Sequence, residues 1–152
     1  MTGGDNHVQM SYSQITDEIF IGTNACCTRH FDESLIRLGI VADISLESER
    51  LDAPWGIKYF LWLPTIDHTA PSLQSLALGS QMLHFLVNQK IKTYVHCKNG
   101  HGRAPTLVAA YLISTGMSVK QAVQTITKRR QEIHIEPVQL ATLEQFKAQV
   151  RF

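Results

Sequence analysis

His96-Cys97-Lys98-Asn99-Gly100-His101-Gly102-Arg103 is the stretch whose reading decides the fold. A β-rich run, Thr93 to His96, leads straight into the cysteine, and an apolar run, Ala104-Pro105-Thr106-Leu107-Val108-Ala109-Ala110-Tyr111-Leu112, follows the arginine. In an open α/β sheet, strand, glycine-bearing loop and helix in that order place a ligand beyond the carboxyl end of a strand. Gly100 and Gly102 let the backbone take conformations that other residues avoid, so successive N–H groups can turn inward. Such a nest at a helix N-terminus attracts an anion through its unpaired donors and through the helix dipole. Lys98, Asn99, Gly100, His101 and Gly102 supply those N–H groups, with the longer side chains on the rim. Arg103 closes the loop with a planar fork that fits two phosphate oxygens. Cys97 stands at the base under the same positive potential, which favours the nucleophilic thiolate. His96 is a candidate for orienting the loop through hydrogen bonds.

Outward from this loop, strand and helix signals alternate. Gln14–Ile15 and Ile19–Ile21 flank Asp17-Glu18 as a short hairpin. Asp32 caps a short helix that runs through Leu38 and stops at Gly39. Ile40–Leu46 reads as a strand, followed by a charged loop with Glu47, Glu49, Arg50 and Asp52. Lys58–Leu63 reads as a buried strand ending at Pro64. From Ser72 to about Gln89 the spacing predicts a helix whose apolar face carries Leu73, Leu76, Leu78, Met82, Leu83 and Leu86. A second helix runs from Gly102 or Arg103 to Thr115, with Gly116 as its stop. Ser118 and Gln121 form a capping box for the next, which ends in Lys128, Arg129 and Arg130, cations suited to the negative end of a helix dipole. A last helix starts near Pro137 with Leu140, Leu143 and Phe146 on one face. The expected fold is a single α/β domain over residues 11–152: a central, mostly parallel sheet flanked by helices, with a phosphate-binding loop between a central strand and a helix. Residues 1–10, with Gly3, Gly4, Asp5 and Asn6, read as a flexible tail.

Composition narrows the function classes. A chain of 152 residues, 44% hydrophobic and 18% charged, builds one core and is neither a disordered nor a membrane composition. Its longest apolar runs, Tyr59–Leu63 and Leu107–Ile113, fall far short of the ~20 residues that span a bilayer. Fourteen Lys and Arg against thirteen Asp and Glu leave a formal charge of +1, so no broad basic face for nucleic acid is expected. Three cysteines are not a disulfide framework; Cys26 and Cys27 are adjacent and Cys97 stands alone, which points to a reducing, cytoplasmic setting. The seven histidines show no tight ligand spacing apart from His96 and His101 in the loop, so neither a metal nor another cofactor is expected.

The run His96-Cys97-x-x-Gly100-x-x-Arg103 resembles the signature of the cysteine-dependent protein tyrosine phosphatases. With the Ala104–Leu112 run and the short chain, residues from Tyr12 to Phe146 resemble the small dual-specificity branch. That resemblance implies a phosphocysteine intermediate on Cys97, transition-state support from Arg103 and the loop N–H groups, and an Asp on a mobile loop that protonates the leaving group and then activates water. Asp67, in Leu63-Pro64-Thr65-Ile66-Asp67-His68-Thr69-Ala70-Pro71, stands where such an acid belongs. Asp43, inside a strand, and Asp52, in a distant charged loop, fit less well. Glu47 is a candidate for holding Arg103, with a solvated loop charge as the alternative. Gln139 is a candidate for positioning water, with a helix-surface glutamine as the alternative. Cys26 or Cys27 is a candidate for a reversible disulfide with Cys97, against plain packing. Most members carry Ser or Thr after the arginine; here the residue is Ala104, an Arg-Ala-Pro variant like that of the phosphatases of regenerating liver, and slow phosphoenzyme hydrolysis is expected. The implied substrate is a phosphoprotein carrying phosphotyrosine, and phosphoserine or phosphothreonine in an open pocket. Inositol lipids, RNA 5′ ends, and phospho-binding with weak turnover are the alternatives.

Overall fold

A computed structural model describes residues 9–149. Tyr12–Gln14 (β1) and Ile19–Gly22 (β2) pair antiparallel, as the hairpin reading requires. Ile40–Glu47 (β3), Tyr59–Thr65 (β4) and Lys92–His96 (β5) are parallel to one another, and β2 is parallel to β5. The strands form one five-stranded sheet in the order β1-β2-β5-β3-β4, so β5 is central and its end delivers Cys97. This is the expected single-domain α/β architecture, with helices Glu33–Arg37 (α1), Leu73–Asn88 (α2), Arg103–Ser114 (α3), Val119–Arg129 (α4) and Pro137–Gln149 (α5).

Alternation along the strands divides the interior into two cores. Ile19, Ile21, Ile44, Leu46 and Val95 pack with residues of α2, α3, α4 and α5 in the larger one. Phe20, Ile40 and Tyr94 point the other way and pack with Cys26, Cys27, Phe31 and Leu35. The helix that follows the loop, α3, is buried from Arg103 through Ile113, which anchors the loop's far end in the core. Its approach to α2 is close: a Cβ on Gly79 would lie 2.5 Å from the Leu107 side chain.

The local signals resolve as chemistry. Asp32 accepts from the Ser34 and Leu35 N–H groups, Ser118 and Gln121 form a reciprocal capping box, and Gly39 and Gly116 take φ of +93° and +115° after their helices. Three expectations are corrected. The strand after the charged loop is an edge strand rather than a buried one, with Tyr59 and Trp62 each 39% exposed, and it continues through Pro64 because an edge residue need not donate to a ladder. Leu78 is exposed, and the buried stripe of α2 passes through Leu76, Gly79, Ser80, Leu83 and Leu86. Gln139, not Leu140, joins Leu143 and Phe146 on the buried side of α5. Arg130 ends α4 as expected, as its C-cap, and is buried at 1% exposure. Of the tail read at residues 1–10, residues 1–8 lie outside the described chain; the Gln9 carbonyl accepts from Thr23 Oγ1, and Met10 packs against the smaller core. Among the described residues no helix is long and apolar enough to cross a membrane.

Candidate active site

The loop from Cys97 to Gly102 is held from outside by its carbonyls. Lys98 O accepts from Asn24 N (3.0 Å), Asn99 O from Arg130 Nη2 (3.0 Å), Gly100 O from Arg130 Nε (3.0 Å) and His101 O from His134 N (2.6 Å). In a trans peptide the C=O and the following N–H point in opposite directions. With the oxygens drawn outward, the N–H groups from Asn99 to Gly102 turn into the bowl, which is the geometry of an anion nest. Gly100 is required twice: its φ is +69°, and a Cβ there would stand 2.6 Å from the Gly22 carbonyl. The bowl opens into a cavity of about 160 Å³ that contains Cys97, Arg103 and Asp67 together with Lys98, His101 and Gln139.

Cys97 is a free, buried thiol at the base of this cavity. Beneath it lies His96, fully buried, which donates from Nδ1 to the Cys97 carbonyl (3.1 Å) and from Nε2 to Asp52 Oδ2 (2.7 Å), with Asp43 Oδ1 3.2 Å away. Both ring nitrogens face acceptors, so both carry protons. Burial alone would lower the imidazole, but Asp43 and Asp52 raise it well above its ordinary value. Asp43 is pushed up to about 7 by its own burial. The two aspartates weighed against Asp67 are therefore the partners of His96 beneath the loop.

Arg103 is gripped by Glu49, not Glu47. Its Nη1 donates to Glu49 Oε1 (2.6 Å) and Nη2 to Glu49 Oε2 (3.0 Å), while Nη1 also reaches the Thr65 carbonyl (2.8 Å). This bidentate pair holds the Glu49 carboxyl down at about 2. Glu47, the last residue of β3, turns to Asn24, whose Nδ2 lies 3.2 and 3.0 Å from its two oxygens, and is buried rather than solvated. Arg103 opens α3, and the contact falls to Glu49, a loop residue two positions beyond the end of β3.

Asp67 follows β4 and stands at the mouth of the cavity, 47% exposed, with Oδ1 3.5 Å from Arg103 Nε. Gln139 is buried, not a surface residue: Nε2 donates to Thr69 O (3.0 Å) and Oε1 accepts from Glu136 N (2.8 Å), so its amide braces the acid loop as it lines the cavity. Arg130 and His134 had not been singled out. Arg130 lies four residues beyond Ile126 on the stripe that buries Val119 and Ala122, and that periodicity was the available signal. The Cys26 and Cys27 sulfurs lie against each other in the smaller core, and Cys97 is a free thiol apart from both. Cys27 Sγ lies 3.7 Å from His96 Nε2, and the two sulfurs, Asp43, Asp52 and His96 bring ligand-type atoms within 4.8 Å of one another. These residues come from four separate segments, which is why no ligand spacing showed in the sequence.

The family described as "Dual specificity phosphatase, catalytic domain" matches residues 19–149. The human phosphatidylglycerophosphatase and protein-tyrosine phosphatase 1 is 42% identical over 92 residues, covering 59% of this chain and 46% of that protein. The chain spans about half the length of the curated relatives it matches. The crystal structure of PTPMT1 superposes with a TM-score of 0.76 at 30% identity, covering 91% of this chain and 94% of that one. The structure of PTPMT1 in complex with PI(5)P gives a TM-score of 0.77 at 27% identity, covering 90% and 94%. The family match runs from β2 to the end of α5, across the elements that build the bowl and its walls, and the chain therefore belongs to the dual specificity phosphatase family.

Proposed function

We propose that the chain hydrolyses phosphomonoesters through a phosphocysteine intermediate. The observation that carries this reading is the bowl itself, with carbonyls tied outward, N–H groups turned inward, and a free cysteine at the base opposite a clamped arginine. Cys97 Sγ attacks phosphorus, and the ester oxygen departs with its bonding electrons. The inward N–H groups and Arg103 offset the charge on the equatorial oxygens; because they are already fixed by Arg130, His134 and Glu49, little reorganisation is needed. Asp67 donates a proton to the departing oxygen, a contribution of about 10²–10⁴ in rate for poor leaving groups. In the second step Asp67 takes a proton from water, which attacks phosphorus and releases Cys97.

The substrate class supported best is a phosphomonoester on a lipid headgroup. Lys98, His101 and His134 stand around the cavity and suit a headgroup with further anionic groups. Two similar proteins are named for phosphatidylglycerophosphate or solved with an inositol phospholipid. Phosphotyrosine in proteins, with phosphoserine or phosphothreonine, is the second reading, supported by the protein-tyrosine activity in the same relative's name. A cytoplasmic setting remains part of this second reading, since a free thiol nucleophile needs a reducing compartment. The deciding experiment measures phosphate release from phosphatidylglycerophosphate, phosphoinositides, phosphopeptides and triphosphorylated RNA beside the Cys97→Ser variant. Turnover abolished in Cys97→Ser, with binding of inorganic phosphate retained, is expected; near-normal turnover in that variant would overturn the phosphocysteine route.

A further inference from the structure

Asp67 is half exposed, and its contact with Arg103 is a long one at 3.5 Å. The residue after it has a side chain 77% exposed but an unusual backbone conformation. His68 has φ of +64°, the left-handed region that a residue with a Cβ enters only at a cost, and such backbone persists where its surroundings over-determine it. The segment leading into α5 and the first turn of that helix supply the constraint. His68 Nδ1 stands 2.8 Å from Glu136 Oε2, and one residue further on the Thr69 carbonyl accepts from Gln139. Gln139 Oε1 in turn accepts from the Glu136 N–H, so the two anchors brace each other. His68 N–H donates to Asp67 Oδ1 (2.9 Å), which ties the acid's own carboxylate to the pinned residue. Glu136 also lines the cavity, where a free carboxylate would repel an anionic substrate, and its engagement with His68 offsets that charge.

We propose that His68 and Glu136 form a latch that holds the acid loop over Cys97, making both of them positioning residues for proton transfer by Asp67. The latch rests on the phosphocysteine reading with Asp67 as the acid. It predicts a loss that depends on the leaving group, which a general loss of structure would not produce. In the full chain, Glu136→Ala should lower kcat/KM about tenfold for an alkyl phosphate, whose departing oxygen needs the proton. It should cost less than about twofold for an aryl phosphate with an acidic leaving group, which departs without one. His68→Asn keeps a residue that tolerates the left-handed region but withdraws the ring. It should reproduce the same split, and the double variant should be no worse than either single one. In an Asp67→Asn background, Glu136→Ala should change neither ester's rate. Equal losses on both esters, or a loss that persists without Asp67, would overturn the latch while leaving the phosphatase reading intact. If Asp67→Asn itself lowers both esters equally, the acid assignment fails and the latch with it; turnover surviving in Cys97→Ser rejects the phosphocysteine route beneath both.

Discussion

Ala104 is where single atoms matter most. It is fully buried in the larger core directly after Arg103, and on the proposed phosphocysteine route it offers no hydroxyl to hydrogen-bond the departing thiolate in the second step. Ala104→Ser should therefore raise steady-state turnover while leaving the single-turnover burst unchanged, and an unchanged or lower steady-state rate measured beside that burst would refute the idea. Glu49 works through Arg103. Its carboxyl is held at about 2, below the ordinary 4.5, so its contribution is present above about pH 4.5 and fades as pH falls through about 2. Across the neutral range the clamp is intact, and Glu49→Gln should lower kcat/KM by about tenfold through a loosened guanidinium rather than through the proton transfer. Alkyl and aryl esters should suffer alike, which separates this variant from Glu136→Ala. Cys97 and Arg103 are legible in residue type and spacing and Asp67 through the family resemblance, and the structure brings all three to one cavity. The sequence pointed to Glu47 instead of Glu49 because both are acids at the end of β3, and which one meets Arg103 is decided by tertiary contacts.

At the level of elements, the site is a set of loops tied to one another by backbone carbonyls. Arg130, at the end of α4, reaches Asn99 O, Gly100 O and Ser13 Oγ (3.1 Å), so one buried guanidinium joins the loop, β1 and the lead-in to α5. Removing it leaves two loop carbonyls without their charged donor. Arg130→Met should cost about 2–3 kcal/mol of stability and should weaken inorganic phosphate binding in the Cys97→Ser background, measured by calorimetry. Destabilisation with phosphate affinity unchanged would mean that the N–H groups keep their direction without the arginine. Legibility varied in the same way among elements. The capping box at Ser118 and the turns at Gly39 and Gly116 are local and were readable, since each depends on residues within a few positions. Whether Lys58–Leu63 is central or an edge strand depends on sheet order, which one sequence does not carry; Pro64 was the hint, read as a terminator when it marks an edge. Arg130 was read by its neighbours Lys128 and Arg129, and helical periodicity from Ile126 was the stronger signal.

Across the whole molecule, the near-neutral charge of +1 conceals a charged interior. His96, Asp43 and Asp52 are buried together between the smaller core and the loop, and they couple global stability to the protonation of the catalytic platform. The sign follows from which state holds more protons. His96 is raised well above 6.5, so its contribution is full below that value and is lost as pH rises through its folded-state value. Asp43 is raised from 3.8 to about 7, so the folded state also keeps this proton longer than the unfolded chain does. Burial raises Asp52, but the hydrogen bond and charge of His96, with Asp43 and Arg50, together leave it lowered from 3.8, so it opposes the trend only in the acid range. Asp43 loses its contribution as pH rises through about 7 and His96 as pH rises further, so thermal unfolding midpoints should fall between pH 6 and pH 9. Asp43→Asn removes one of the two protons involved and should flatten that slope, lowering the pH 6 midpoint more than the pH 9 midpoint. The pH dependence should also appear in phosphate binding to Cys97→Ser, since His96 donates directly to the Cys97 carbonyl at the base of the bowl. A midpoint that is flat or rises over this interval would mean that the buried histidine shares its protons with solvent as freely as it does in the unfolded chain.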